Sequence, residues 1–370
     1  MKPAFLYVNA GKGHYIPAKA MYDAYLDEYG EPAILANLFD IISSKFIQKT
    51  IQDNWRHSLK HTSSQPYTYK MIDNPLNRIL LRLIINSSKH TRALKDWLDK
   101  EKPDLIISTH FMGGLILPNA IARLGYDIPV FQYAADCVAT PKTGVNNKLK
   151  YMYLATERGV GNAVKSGMER DKVKLCPFPL QYRIENSPRL SKEEARRKLG
   201  LEDIFTVAFS MGGEGISRLG ILEEVDKRNL RIQFILLGNI GESTRAELDD
   251  IMGNIRNIRI ITPGFVSNVN EYLEASDMTM GKAGANSVME SIYLKRFTLV
   301  SDQLYPFEGS KPLLEEHGIG KVENNIRKQA DIIEKLYENP GMVTDENFEN
   351  TGITFSSRAF IKMLLEDYQK

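Results

Sequence analysis

Three glycine-bearing loops carry most of the chemistry that this sequence offers. The first, Gly11-Lys12-Gly13-His14, follows an apolar run and leads straight into a helical pattern. A strand, a tight glycine turn and a helix N-terminus together present N–H groups and a positive dipole end, which favour an anion or polar hydroxyls. His14 is neutral at pH 7 at its ordinary pKa and could accept a proton; a capping or packing histidine at a helix start is the competing account. The second loop, "AFSMGGEGIS" at residues 208–217, runs strand, Ser210, Gly212-Gly213, helix. Its amides could reach a pyrophosphate, although Glu214 disfavours dense phosphate at that residue, and an ordinary strand-to-helix turn looks the same. The third, "ASDMTMGKAGANSVMES" at residues 275–291, is richer. Lys282 could meet phosphate as a point charge. Asn286 and Ser287 stand where a helix start is capped. Glu290, one turn further on, could accept two hydrogen bonds from a ribose diol. In isolation, a solvated helix acid and a surface lysine are the simpler account of Glu290 and Lys282.

Two familiar nucleotide motifs are excluded by spacing. A Walker A loop needs G-x-x-x-x-G-K-[ST], but here Lys12 lies between the glycines with no Ser or Thr after it. A dinucleotide fingerprint needs G-x-G-x-x-G; Ile16 occupies the third glycine's place, and Asn37-Leu38-Phe39 stands where a ribose-binding acid would end the second strand. Nicotinamide and flavin chemistry is therefore disfavoured. No D-x-D motif of the kind that holds a divalent cation occurs, so no metal and no cofactor is expected. His57, His61, His90 and His110 offer one i, i+4 pair, His57/His61, which lacks an acidic third ligand and reads as a solvated helix face.

The elements that must position these loops alternate. Strands are expected at residues 4–9, 33–38, 104–108, 129–133, 150–155 and 173–175, with helices at 16–29 and 113–124 and a helical, irregular region at 39–100. Residues 177–200 hold three prolines and a charge-rich helix and read as a linker. The alternation then restarts, with strands at 206–210, 233–237, 258–262, 278–280 and 297–301 and helices at 216–228, 243–252, 269–275, 286–294 and 309–317. Such a pattern means parallel sheets covered on both faces, in two doubly wound α/β domains. Ligands of such sheets bind beyond the carboxyl ends of the strands, and the cleft between two domains is the natural site.

Bulk composition narrows the class. At 370 residues the chain is long for a single core. It is 43% apolar and 25% charged, as ordinary globular domains are. A net charge of +2 argues against a dedicated nucleic-acid binder. The two cysteines, Cys137 and Cys176, lie in apolar surroundings without metal-ligand spacing, which fits a reducing cytoplasm. No targeting signal is read at the N-terminus, and no run reaches the roughly 18 apolar residues of a membrane span; the best, residues 79–85, is cut by Arg82.

Taken together, these segments resemble the GT-B glycosyltransferases of the group that contains the monogalactosyldiacylglycerol synthases, the bacterial processive diacylglycerol glucosyltransferases and the N-acetylglucosaminyl transferase of lipid II synthesis. "NAGKGHYIPAKAM" is similar to the group's G-x-G-H-x-x-A loop, "KPDLIISTHFMGG" to its P-D-x-I-I-S-T-H strand, and "ITPGFVSNVNEYLEASDMTMGKAGANSVMES" to its donor-nucleotide region, with the spacing from Gly264 to Glu290 kept. The resemblance implies a GT-B fold: two Rossmann-like domains facing a central cleft, with a C-terminal helix crossing back. It implies an acceptor-binding domain at 1–180 with a basic helical insertion at 41–100, a linker at 181–200, a donor domain at 201–345 and a returning helix within 346–370. It implies a cytoplasmic enzyme that moves a hexose from a UDP-sugar to a lipid hydroxyl such as that of diacylglycerol, with inversion. Phe265 would hold the uracil. Gly13, Ser210, Gly212, Gly213, Lys282, Gly284, Ala285, Asn286 and Ser287 would meet the diphosphate side of the donor, and Glu290 the ribose. His14, with Asp136, would serve the acceptor as base or transition-state stabiliser, and Glu308 and Ser310 would contact the sugar. Two motifs depart from the pattern: Thr140 stands where a His usually follows Asp136, and "YPFEGS" at 305–310 replaces G-Q-E-x-x-N.

Residues 41–100 hold eleven Lys/Arg against four Asp/Glu, interleaved with Trp55, Tyr67, Tyr69, Trp97 and many aliphatic residues. That mixture suits peripheral contact with an anionic membrane surface; ordinary amphipathic helices covering the first sheet are the alternative. A UDP-sugar 2-epimerase and a non-catalytic nucleotide-sugar binder are the rival functions.

Overall fold

The structure, a computed structural model, describes residues 1–9, 11–60, 70, 73–76, 79, 87–138, 140–211, 219–264, 266–282, 284–302 and 309–370. The chain divides into two compact units, Met1–Asn186 with Ile353–Lys370, and Ser187–Gly352.

The first unit is built on strands β1 (Pro3–Tyr7), β2 (Ile34–Asn37), β3 (Leu105–Ser108), β4 (Val130–Tyr133), β5 (Met152–Leu154) and β6 (Val173–Leu175), in the order β2-β1-β3-β4-β5-β6, all parallel. Its helices are α1 (Tyr15–Tyr29), α2 (Leu38–Ile41), α3 (Lys45–Lys60), α4 (Ser88–Glu101), α5 (Phe111–Arg123), α6 (Glu157–Lys165) and α7 (Tyr182–Asn186). The central strands are short apolar runs buried on both faces, as parallel strands under helices must be. Helix α5 begins two residues earlier than its sequence suggests, so Gly113 and Gly114 fall within its first turn. A Cβ on Gly113 would stand 2.0 Å from Ser108 Oγ, and one on Gly114 1.9 Å from Gln132 Oε1. The glycine pair lets the start of α5 sit directly on β3 and β4.

The second unit repeats the scheme. Helix α8 (Lys192–Leu199) precedes β7 (Phe205–Ser210), and α9 (Gly220–Asp226), β8 (Ile232–Leu237), α10 (Glu242–Asn254), β9 (Arg259–Gly264), α11 (Val269–Glu274), β10 (Met278–Lys282), α12 (Ala285–Tyr293), β11 (Phe297–Asp302), α13 (Ser310–Glu316), β12 (Gly320–Val322), α14 (Ile326–Glu338) and α15 (Asp345–Glu349) follow. The sheet order is β12-β11-β10-β7-β8-β9, again all parallel. Strand β12 and helices α14 and α15 add to the elements read from sequence; α14 buries Ala330, Ile333 and Leu336 against the core of β7, β8 and β11.

The proline-rich stretch divides between the units. Residues up to Asn186 go with the first, and α8 is bound into the second: buried Arg196 reaches Asp277 at 2.6 Å, Asp203 at 2.7 Å and the Ala275 carbonyl at 3.0 Å. Residues 346–352 also stay with the second unit, where Lys295 bridges Asp345 and Glu349.

The final helix, α16 (Ser357–Gln369), returns to the first unit. Phe360, Ile361 and Leu364 are buried, and the Phe360 ring meets Tyr153 edge-on at 5.3 Å. Asp367, 1% exposed, accepts from Tyr153 Oη at 3.0 Å and from the ammonium groups of Lys174 and Lys370. Burial pushes its pKa up, but these three donors outweigh burial and hold it below the ordinary aspartate value. Asp367→Ala leaves the Tyr153 hydroxyl without its acceptor, which costs about 1–3 kcal/mol. The expected outcome is a lower thermal midpoint and faster tryptic cleavage at Arg358 and Lys362; unchanged proteolysis would show that the apolar face alone docks the helix.

Candidate functional site

In the first sheet the chain runs outward from β1 to β2 and then returns to place β3 on the other side of β1. The loops after β1 and β3 therefore leave in opposite directions and open a crevice at the carboxyl ends of the two strands, the switch point where doubly wound sheets bind ligands. His14 follows β1; Thr109 and His110 follow β3. The registers Phe5↔Ile107 and Leu6↔Ser108 set the two loops level with each other.

Thr109 clamps His14 from two sides. Its hydroxyl donates to the His14 carbonyl at 2.7 Å, and its own carbonyl lies 2.8 Å from His14 Nδ1. Gly11 sits at φ 92°, a left-handed conformation that favours glycine, and Gly13 has open space where a Cβ would be. His14 occupies the N-cap position of α1 but its ring makes no cap bond. The capping account is thereby replaced by a reach across to the next loop. A carbonyl only accepts, so Nδ1 carries the proton and Nε2 is left as the basic nitrogen. Desolvation pushes the His14 pKa down to about 4, against the pull of the Thr109 carbonyl.

His110, 4% exposed, lies against His14 with ring centroids 4.3 Å apart at 73°. Sequence reading considered His110 only as a metal ligand. Its signal was a histidine two residues after a buried strand and next to a helix start. Asp136 lies in the loop after β4. Burial pushes its carboxyl up to about 7, and no charged neighbour contributes to that shift. Cys137, at φ 60°, forms the middle of a tight turn in which Val138 N donates to the Asp136 carbonyl at 2.6 Å.

The second sheet has its own switch point, between β7 and β10. There Ser210, Gly281, Lys282, Ser287 and Glu290 line one concavity with about 540 Å³ of empty volume, open to solvent. Gly281 is paired with Ser210, and a Cβ on it would stand 2.7 Å from the Ser210 carbonyl oxygen. That close approach brings the ends of β7 and β10 together. Gly284 is the N-cap of α12 and makes no side-chain cap bond to that helix's first turn, Ala285, Asn286 and Ser287. Behind them, Thr279 bonds Ser291 at 2.9 Å and Thr298 at 3.2 Å, giving the concavity a hydroxyl floor that sequence reading missed. Ser310, at the start of α13, is buried. Gly212, Gly213, Phe265, Glu308 and His61 lie outside the described residues. No cluster of three or more metal-ligating side chains occurs among the described residues.

The chain is 24% identical to the monogalactosyldiacylglycerol synthase of Spinacia oleracea over 89% of its own length and 65% of the relative's. It is 22% identical to the processive diacylglycerol beta-glucosyltransferase of Staphylococcus saprophyticus, over 74% of this chain and 69% of that protein. In sequence the chain is thus similar to glycosyltransferases of the diacylglycerol group. It spans about two-thirds of the length of these curated relatives, slightly less for the plant enzymes. Among solved structures, MurG of Acinetobacter baumannii matches at TM-score 0.63 and 13% identity, over 100% of this chain and 99% of that one. The UDP-GlcNAc 2-epimerase of Neisseria meningitidis bound to UDP-GlcNAc matches equally, at TM-score 0.63 and 12% identity over the whole of both chains. The fold is GT-B by these likenesses, and by itself it does not separate transferase from epimerase. No protein-family model matches the chain.

Two outcomes follow from the geometry. Gly281→Ala forces β10 away from β7, and we expect about 1–3 kcal/mol of destabilisation by urea unfolding. Two half-buried titratable groups of the first unit pull in opposite directions. His14 has a folded pKa of about 4 below an unfolded 6.5, so its contribution to stability is lost as pH falls from 6.5 to 4. Asp136 is raised to about 7 from 3.8, so its contribution is lost as pH rises through that window. Asp136→Asn should therefore stabilise the first unit at pH 8, by up to a few kcal/mol in urea unfolding, and gain little at pH 4. An equal shift at both pH values would refute a neutral carboxyl.

Proposed function

We propose that this chain transfers a hexose from a UDP-sugar to a lipid hydroxyl, such as that of diacylglycerol, with inversion at the anomeric carbon. The observation that carries this reading is the gathering of Ser210, Lys282, Ser287 and Glu290 around one concavity at the switch point of the second sheet, beside the uncapped start of α12. Amides at a helix N-terminus and one lysine suit a diphosphate, and Glu290, partly exposed one turn further along the helix, suits the ribose diol. The relatives named above, which glycosylate diacylglycerol by their names, favour the lipid acceptor. Solved neighbours of the same fold hold UDP or UDP-glucose.

In this reading the acceptor oxygen attacks the anomeric carbon while the bond from that carbon to the diphosphate oxygen breaks. His14 Nε2 takes the acceptor proton, and the departing diphosphate is held by Lys282 and the amides of Gly284, Ala285, Asn286 and Ser287. No cofactor or protein-bound metal enters the proposal. Asp136 stands in the acceptor's loop, and Gly13 lines the first glycine turn. The roles of Gly212, Gly213, Phe265 and Glu308 rest on the resemblance alone. Peripheral contact with an anionic membrane is part of the same proposal. On α3, Phe46 is 82% exposed between basic residues Lys45 and Lys49, and Leu76 and Ile79 are exposed as well. No helix of the described residues is long and apolar enough to cross a membrane.

UDP-glucose, UDP-galactose and UDP-N-acetylglucosamine, each incubated with and without diacylglycerol vesicles, test the reading. UDP release that requires lipid supports transfer; epimer formation without acceptor supports the epimerase, and binding without turnover a sensor. Glu290→Ala should weaken UDP binding about 10–100-fold, as expected for lost hydrogen bonds to a charged acceptor. His14→Gln should lower the turnover rate about 10²–10⁴-fold while UDP affinity stays constant.

A further inference from the structure

His110 has no role in the reading above, yet it is the side chain most closely applied to the proposed base. Helix α5 determines its protonation. His110 is the N-cap residue of α5, and its Nδ1 accepts the backbone N–H of Met112 at 3.1 Å. A ring nitrogen that accepts carries no proton, so in the neutral ring the proton sits on Nε2. The ring is kept neutral: burial pushes the pKa well below the ordinary histidine value, with the neighbouring His14 acting in the same direction. Ser108 Oγ donates to the His110 carbonyl at 3.1 Å, and the Phe111 ring stacks on the imidazole at 4.3 Å. His14 is the opposite tautomer, with its proton on Nδ1 against the Thr109 carbonyl and a bare Nε2. Among the described residues, no hydrogen bond reaches Nε2 of either ring.

We propose that His14 and His110 form a complementary pair that binds and orients the acceptor hydroxyl, with His110 as a further catalytic residue that touches the acceptor oxygen. An alcohol oxygen has one proton to give and two lone pairs. His14 Nε2 accepts the proton, His110 Nε2–H donates to one lone pair, and the other lone pair remains for attack on the anomeric carbon. In the transfer, the oxygen–carbon bond forms, the carbon–diphosphate oxygen bond breaks, the hydroxyl proton ends on His14, and His110 keeps its own. Two rings of the same tautomer would offer two acceptors or two donors and could not orient a hydroxyl in this way. The assignment rests on the reading of His14 as the acceptor-side base.

Two substitutions separate the roles of the two His110 nitrogens. In His110→Asn the side-chain oxygen can replace Nδ1 as acceptor for Met112, while the Nε2 donor is lost. In His110→Gln an amide nitrogen can reach the Nε2 position, while the cap is lost. With UDP-glucose or UDP-galactose and diacylglycerol vesicles, the Asn variant should keep the wild-type melting temperature and UDP affinity and lose about 10²-fold in transfer, the scale of a misoriented reactant. The Gln variant should melt lower but transfer at least tenfold faster than the Asn variant. Equal transfer by both variants, or loss of UDP affinity in either, would overturn the assignment. Imidazole ¹⁵N spectra at pH 7 provide a second readout that needs no turnover. His14 should be the Nδ1–H tautomer and His110 the Nε2–H tautomer, and glycerol, as a hydroxyl probe, should shift both Nε2 resonances in the wild type but not that of His14 in His110→Asn. Matching tautomers would sink the pair. Full transfer by His14→Gln would instead defeat the base reading, and the spectra distinguish that failure from failure of the pair.

Discussion

Both candidate sites depend on one topological constraint, the reversal of strand order inside a parallel sheet. Where the chain stops adding strands on one side and crosses to the other, two neighbouring strands send their following loops to opposite faces. A crevice opens at their carboxyl ends. In the first unit this happens between β1 and β3, and in the second between β7 and β10. Polar groups that would be costly to bury elsewhere in these apolar sheets are tolerated there because they meet solvent or a ligand. His14 and His110 in the first unit, and Lys282, Ser287 and Glu290 in the second, accordingly lie at the reversal.

Close backbone approach then sets the detail, and glycine makes it possible. Gly281 lets the end of β10 pack against Ser210, which brings Lys282 and the start of α12 to the same concavity as the end of β7. Gly113 and Gly114 let α5 begin in contact with β3 and β4, and this seats His110 beside His14. Neither arrangement comes from a strong interaction; each follows from the lack of a side chain at one or two positions. Around these points the polar chemistry is economical. Thr109 uses its hydroxyl and its carbonyl to hold one histidine, and the first turn of α5 determines the tautomer of the other.

The two units are stabilised by different devices at their margins. The first recruits the chain's last helix through an apolar face and a buried carboxylate, Asp367, shared among Tyr153, Lys174 and Lys370. The second draws in the helix that follows the proline-rich stretch through Arg196, whose guanidinium is satisfied by two carboxylates and a carbonyl. A buried guanidinium left without those partners would be strongly destabilising, so the network ties α8 to β10 as specifically as packing does.

The sequence alone determined the alternation of strands and helices, the presence of two α/β units and the loops in which the chemistry lies. Apolar runs bounded by glycine turns are local signals, and a parallel sheet requires them whatever its strand order. It offered Lys282, Ser287 and Glu290 as candidates at a strand end and helix start, but only the structure gathered them around one concavity. The sequence did not reveal that α8 and residues 346–352 join the second unit, or that β12, α14 and α15 complete it. Those depend on contacts between segments far apart in the chain. Above all it left His14 as one histidine at a helix start. Only the tertiary structure, by placing β3 next to β1, set Thr109 and His110 against it, and only the hydrogen bonds made there decide which nitrogen of each ring carries a proton.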